Sequence, residues 1–364
     1  MNIKSLLIGS AAALVAVSGA RAADAIVAAE PEPVEYVRVC DAFGTGYFYI
    51  PGTETCLRIH GYVRYDIGAG DLFAVTSDST DETYFKRARF SFRVSTASET
   101  EMGTLRTYVE TRWQWDTNDT VAGYTNANEF SVNFAWIELG GLRIGKDESF
   151  FTTWTGYAGS VINDGNYGPF DTNRISYTYN GGAFRAGLAL EQGASNGIAG
   201  AWGIDDYMPH VVAGVGYNAG MFDLSGVLGY DTRDDLVGVI RGGWTGKIRA
   251  DVTVNDMVSG FAMVMYGENS SAYTTWGNGL VTDETLSVIG GASIKANDKV
   301  TLNGQVQWID NNVVGNDDAW SVVGNLNYTV VPGLVVTPEF VYTDTGVAGA
   351  DGQFGFYGRV QRSF

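Results

Sequence analysis

The stretch DAWSVVGNLNYTVVPGLVVTPEFVYTDTGVAGADGQFGFYGRVQRSF, Asp318 to Phe364, alternates apolar and polar residues almost without a break. Trp320, Val322, Leu326, Tyr328 and Val330 share one parity, while Ser321, Asn325, Asn327 and Thr329 share the other. That is the period of a strand with one oily and one wet face. Leu334, Val336, Phe340 and Tyr342 repeat it against Thr337, Glu339 and Thr343. Phe354, Phe356, Val360 and Phe364 then repeat it against Tyr357, Arg359, Gln361 and Ser363. Consecutive strands under one rule imply a sheet with lipid on one side and water on the other, a transmembrane β-barrel. Phe364, an aromatic residue at the C-terminus, is expected to be part of the barrel assembly signal.

Working back to the other end, Lys4 precedes an apolar run from Leu6 to Val17, and Ala20-Arg21-Ala22 follows as a small-x-small cleavage pattern. Residues 1–22 therefore read as a secretory signal peptide. The competing reading, a first transmembrane helix, would need a longer run. Removing the leader takes away Lys4 and Arg21 and no acid, so the formal charge of −18 becomes −20 over the 342 residues left of 364. Such acidity argues against nucleic acid as a partner. Charged residues make up only 18%, low for a soluble surface, while 48 glycines and 13% aromatics suit barrel turns and walls. A soluble secreted β-protein would need those outward aromatics to pack a second sheet.

Residues 23–56 read as a short periplasmic segment that holds the only two cysteines, Cys40 and Cys56. In an oxidising compartment they are expected to form one disulfide. Two thiols with His60 and His210 offer no zinc-ligand spacing, and neither metal nor cofactor is expected.

Residues 57–364 hold sixteen segments of strand length, starting near Leu57, Tyr84, Gly103, Asn128, Leu142, Asn173, Ala183, Pro209, Met221, Leu236, Met257, Glu284, Lys299, Asp318, Leu334 and Gly352. The run from Leu236 to Val254 is the least regular. Tight turns at Gly140-Gly141, Gly181-Gly182, Ala219-Gly220, Asn255-Asp256 and Pro332-Gly333 alternate with longer polar loops. Bacterial barrels have this asymmetry, with short periplasmic turns and long external loops. Tyr65, Trp113, Trp115, Trp136, Tyr177, Tyr179, Trp308, Trp320 and Tyr342 fall on the lipid-facing parity, near segment ends where interface girdles place aromatic rings.

At this strand number the lumen stays wet unless something fills it. The stretch DESFFTTWTGYAGSVINDGNYGPFD, Asp147 to Asp171, carries apolar residues out of place on a solvated loop, so it is expected to fold inward as a constriction loop spanning about 147–173. It bears Asp147, Glu148, Asp164 and Asp171. The inward parity of the early strands bears Arg58, Arg64, Arg87, Arg89, Arg93, Arg106, Arg112 and Arg143. A basic wall facing an acidic loop would set up a transverse field that sorts solutes by charge and dipole. Across strands seven to sixteen the inward parity reads mostly as Ser, Thr, Gly, Asn and Gln.

Four strings give a resemblance over essentially the whole chain: EPVEYVRVCDAFGTGYFYIPGTETCLRIHGYVRYD (32–66), GKDESFFTTWTGYAGSVIND (145–164), DDYMPHVVAGVGY (205–217) and the ending GRVQRSF. With these the sequence resembles the general diffusion porins of alphaproteobacteria such as Brucella and the rhizobia. The resemblance implies an all-β fold, a 16-stranded antiparallel transmembrane barrel that assembles as a homotrimer in the outer membrane of a Gram-negative bacterium. It also implies a third external loop in the lumen opposite a basic ladder, and a second external loop, here about Asp116 to Asn128, latched onto a neighbouring subunit. Passive diffusion of small hydrophilic solutes and ions would follow, amid outer-membrane lipid and lipopolysaccharide. First and second external loops that are short predict a fairly open pore that passes sugars. The loop acids and the net charge lean the ion preference weakly to cations, against the local pull of the arginines.

Two other classes stay open. A hydrolase on the barrel would need a nucleophile, a His base and an orienting group together, and His60 and His210 lack a Gly-x-Ser-x-Gly context. A surface adhesin or ligand-binding barrel could use the clusters Asp78-Asp81-Glu82, Asp231-Asp234-Asp235 and Asn316-Asp317-Asp318, although none has the spacing of a calcium loop.

Overall fold

The computed structural model describes residues 38–77, 81–120, 123–194, 202–237, 240–277, 284–310 and 317–364. The leader 1–22, the segment up to residue 37, Asp78 and Asn316 lie outside the described residues. Val39–Phe364 form one unit.

Sixteen long strands follow one another along the described residues. They are β1 (Cys56–Ala69), β2 (Glu82–Thr100), β3 (Gly103–Thr120), β4 (Gly123–Leu139), β5 (Leu142–Glu148), β6 (Asp171–Gly181), β7 (Phe184–Glu191) and β8 (His210–Asn218). The second half comprises β9 (Phe222–Asp231), β10 (Gly243–Asn255), β11 (Val258–Glu268), β12 (Glu284–Lys295), β13 (Val300–Ile309), β14 (Ala319–Val331), β15 (Leu334–Asp344) and β16 (Gln353–Ser363). Each pairs antiparallel with the next, and β16 returns to β1 in the register Tyr62↔Ser363 to Ala69↔Phe356. The sheet closes on itself and leaves no free edge in lipid, which the apolar environment demands of backbone polar groups.

Parity holds in the wall as the alternation requires. Along β14, Trp320, Val322 and Tyr328 are exposed while Val323 and Asn325 are buried, and β15 buries Thr337, Glu339 and Val341 while exposing Phe340. The tight turns place glycine where φ is positive. At Gly333 (φ +80°) a Cβ would lie 2.8 Å from the Ser363 carbonyl, so both the backbone and the space favour glycine.

Three placements differ from the sequence reading. The ladder of β3 and β4 runs up to Thr120↔Gly123, so Asp116–Asn128 is mostly a protruding hairpin and not an irregular loop. Beyond the lipid both faces of a hairpin meet water, so Thr and Asn suffice and the alternation that marks a wall strand is absent. The tenth strand begins at Gly243 rather than near Leu236; ahead of it, at the end of β9, Asp231 binds Arg233 at 2.7 Å. Trp136 lies on the inward side. A bulge shifts the β3–β4 register from Glu110↔Phe134 to Thr111↔Val132, and the extra residue Asn133 swaps the faces beyond it. Ala135 and Ile137 are therefore exposed, and the Trp136 ring sits 4.0 Å under the Arg143 guanidinium and 5.5 Å from Tyr108.

Cys40 and Cys56 are joined in a disulfide that closes a loop of sequence separation 16, and both are buried. The loop holds Phe48–Tyr49 as a short extra pairing against Leu57 and Cys56. Replacing both cysteines with serine is expected to lower stability by about 3 kcal/mol in the chain-entropy account. The denaturant midpoint for loss of the compact, heat-modifiable form on a gel should fall accordingly; an unchanged midpoint would mean the β1 pairing already holds the segment.

Candidate functional site

The eight arginines of the early strands all lie on the inward parity, but most find a carboxylate on the wall itself. Arg64 and Arg359 flank buried Asp66 at 3.2 and 2.7 Å. Arg87 reaches Asp116 at 2.8 Å. Arg93 and Arg112 share Glu110 at 3.0 and 2.6 Å, and Ser91 donates a third bond to it. Arg106 and Arg143 share Glu138 at 3.8 and 2.6 Å. Arg58 and Arg89 have no carboxylate within ion-pair distance among the described residues. Direct cross-strand register brings these groups into rows, Arg359↔Asp66↔Arg87↔Asp116 and Arg106↔Glu138↔Arg143, so fixed positive and negative charges alternate from strand to strand.

The four candidate acids divide. Asp147 and Glu148 end β5 and Asp171 opens β6, so three of them stand on strands. Asp147 is held by Arg143 at 2.7 Å and by Arg174 at 2.6 Å, and Asp171 by Lys146 at 3.1 Å. Glu148 accepts a bond from the Tyr157 hydroxyl. Asp164 alone belongs to the connection between β5 and β6, where it accepts from the Tyr167 hydroxyl at 2.9 Å.

That connection starts with a short helix α1 (Phe150–Thr155), whose N-cap Ser149 accepts from the Phe151 amide. Glu191 of β7 gathers the helix start: it accepts from Ser149 Oγ at 2.8 Å, from the Phe150 amide at 2.5 Å and from the Tyr273 hydroxyl at 2.8 Å. Phe150, Phe151, Trp154 and Tyr167 then pack with Tyr273 and Trp276 upon Val212, Val227, Met263, Met265 and Ile289 of strands β8, β9, β11 and β12. Lys247 of β10 donates to the Tyr167 carbonyl at 2.6 Å with its ammonium 4.2 Å from the Phe151 ring.

Further along, the same connection reaches more distant strands. Glu339 of β15 accepts from the Ile162 and Asn163 amides at 2.5 and 2.8 Å, and Asn325 of β14 donates to the Ser160 carbonyl at 3.1 Å. Gln305 and Gln307 of β13 donate to the Asp164 and Asn166 carbonyls, each at 2.6 Å. The sequence reading missed these wall anchors. Glu191, Lys247, Glu339 and Arg174 lie on the wet parity, where any polar residue is expected, so nothing in the one-dimensional pattern singled them out. The apolar inward residues were a signal: Val212, Val227, Met263, Met265 and Ile289 break the run of Ser, Thr, Gly, Asn and Gln expected for strands seven to sixteen.

Burial pushes the Asp164 carboxyl from its ordinary 3.8 up to about 6; the Tyr167 hydrogen bond works against that rise and repulsion from Glu339 adds to it. A carboxyl with a raised value is charged only above it, so acidification from pH 7 to pH 5 removes this negative charge. The cation-to-anion permeability ratio in a salt gradient is expected to fall over that interval in the wild type and to change less in Asp164→Asn. Equal pH dependence in both proteins would exclude Asp164 as its source.

A closed sixteen-stranded barrel, apolar outside and lined with ion pairs inside, is a channel of the outer-membrane type. The family model of the porin subfamily matches residues 24–356, and the chain belongs to that family. It is 48% identical to porin Omp2b of Brucella neotomae and 47% identical to porin Omp2b of Brucella suis biovar 1, with all of this chain and all of each relative covered. Among solved structures it is similar to the outer membrane channel DcaP of Acinetobacter baumannii, with a TM-score of 0.66 at 17% identity, over 87% of this chain and 99% of that one. It is also similar to the anion-selective porin from Comamonas acidovorans, with a TM-score of 0.53 at 14% identity, over 85% of this chain and all of that one. The structural likenesses speak for the fold, and the family match makes the chain an outer-membrane diffusion channel.

Proposed function

We propose that the channel is a homotrimer, exported by means of residues 1–22, whose pore is narrowed by the segment 149–170 and passes small hydrophilic solutes, sugars among them, with a weak preference for cations. The observation that carries this reading is the set of bonds from residues 160–166 to β13, β14 and β15. Bonds from a segment that leaves between β5 and β6 to those distant wall strands support a path across the interior. On that path it would share the interior with Arg58, Arg64, Arg87, Arg89, Arg93, Arg106, Arg112 and Arg143, with Asp147, Glu148 and Asp171 at its ends and Asp164 within it.

An enzymatic role draws no support from the histidines. His210 is buried, its Nδ1 3.0 Å from the Thr232 amide that donates to it. The surface-ligand reading loses one of its clusters to internal bonds: Asp231 is taken by Arg233 at 2.7 Å, and Asp235 accepts from the Arg241 amide at 2.9 Å.

The test is conductance of the purified mature protein in a planar bilayer, joined with liposome swelling. Steps in groups of three and swelling with a disaccharide are the expected results. A silent bilayer from a folded barrel would overturn the open-channel reading. Swelling with a pentose but negligible swelling with a disaccharide would overturn the open pore.

A further inference from the structure

Below the crossing segment, toward the rim that carries the Asn255-Asp256 turn, lies a cavity of about 430 Å³ bounded by Tyr157 and Ser160 on one side and by β10, β11 and β12 on the other. Its polar wall is an ion pair on one strand. Arg249 grips Asp251 through Nε and one terminal nitrogen, both at 2.7 Å. The other terminal nitrogen donates to the Tyr157 carbonyl, and the guanidinium lies 4.2 Å from the centre of the Phe261 ring. Arg249 is thus fixed on three sides, with a side chain only 11% exposed, while the Asp251 carboxylate remains 39% exposed.

The cavity also has a stacking surface. The Phe261 ring is half-buried, and Tyr157 is 54% exposed, with its hydroxyl bonded to Glu148. Glycine shapes the floor. A Cβ at Gly291 would stand 2.6 Å from the Phe261 ring, and one at Gly159 would stand 2.4 Å from Gln305 and 3.3 Å from Phe261, so a side chain at Gly291 would displace the ring and one at Gly159 would crowd the floor. The hydroxyls of Ser259 and Ser293 complete the lining.

We propose that this cavity is a subsite for a neutral pyranose sugar in transit. The inference rests on the reading of the barrel interior as the solute path and names the solute class. The exposed Tyr157 ring beside a fixed guanidinium–carboxylate pair, itself seated on Phe261, matches a sugar ring, which presents an apolar C–H face to stack and an equatorial fringe of hydroxyls that both donate and accept. Asp251, with each oxygen already engaged once by Arg249, keeps lone pairs for hydroxyl donors. Arg249 and Asp251 cancel in charge, so the pair selects neither an anion nor a cation. The volume admits one ring with its hydroxyls, as ligand cavities of a few hundred Å³ do.

The experiment is single-channel recording of the full protein with glucose added on the short-turn side. A polyethylene glycol of matching hydrodynamic radius serves as the control. The expected result is a saturable fall in conductance with added current noise for glucose, against a linear, viscosity-like fall for the polymer. Phe261→Ala and Asp251→Asn should each raise the half-saturating glucose concentration about tenfold. A linear, noise-free response to glucose in the wild-type channel would overturn the proposal, as would variants that conduct and saturate as the wild type does. Absence of any conductance before sugar is added would instead count against the channel reading itself.

Discussion

Glu191→Ala is expected to release the segment 149–170 from the wall, with a higher and noisier single-channel conductance. Three donors converge on this one carboxylate: the Ser149 hydroxyl, the Phe150 amide and the Tyr273 hydroxyl, all buried. Removing the acceptor strands all three in a site with no room for bulk water. A buried donor left unsatisfied costs about 1 to 3 kcal/mol, so the lost anchorage amounts to roughly 3 kcal/mol or more. The barrel wall does not depend on the anchor, since β7 keeps its ladder with β6 and β8. The damage should therefore appear as protease sensitivity near Tyr157 and altered conductance, with the heat-modifiable barrel still formed. Conductance and protease resistance equal to wild type would mean that the aromatic packing alone fixes the segment.

Alanine at Arg89, Arg93 and Arg106 together is expected to move the reversal potential strongly toward cations. A unit charge about 7 Å from a permeating ion in water contributes about 0.6 kcal/mol, close to thermal energy and opposite in sign for a cation and an anion, so each arginine removed is worth roughly a sevenfold change in the cation-to-anion ratio at low salt. The three will not contribute alike. Arg89 has no carboxylate within ion-pair distance among the described residues, so its removal is felt in full. Arg93 leaves Glu110 still held by Arg112, and Arg106 leaves Glu138 still held by Arg143. Added salt should shrink the effect, because the Debye length is only about 10 Å at 0.1 M. An unchanged reversal potential would mean that these residues do not face the ion path.

The wall was legible in the sequence because lipid imposes a two-residue period, and fifteen of the sixteen strands start within about five residues of where the alternation begins. Leu236 failed as the sixteenth because a loop can carry Leu and Val as well as a strand can. Trp136 failed for a different reason: one bulged residue, Asn133, reverses the faces, and a bulge leaves no mark on composition. The arginines follow the wet parity of their strands. What parity cannot reveal is who pairs with whom. The carboxylates Asp66, Glu110 and Glu138 are assigned to their arginines by strand register, and register follows from a closed sheet rather than from any one segment.

The seam between β1 and β16 also bears on how the molecule comes into being. Gly61 and Phe364 exchange backbone hydrogen bonds at 3.0 Å in both directions, across a sequence separation of some three hundred residues. The other wall pairings join strands adjacent in the chain and can form as hairpins while the rest is still a coil. Closing a ring of that size costs about 5 kcal/mol in chain entropy, and no partial ring recovers any of it. Long-range pairing of this kind makes closure the slow and late event in folding. Until it happens, two sticky edges stand open at once, so a nascent barrel of this kind depends on being kept from its neighbours as much as on its own pairing.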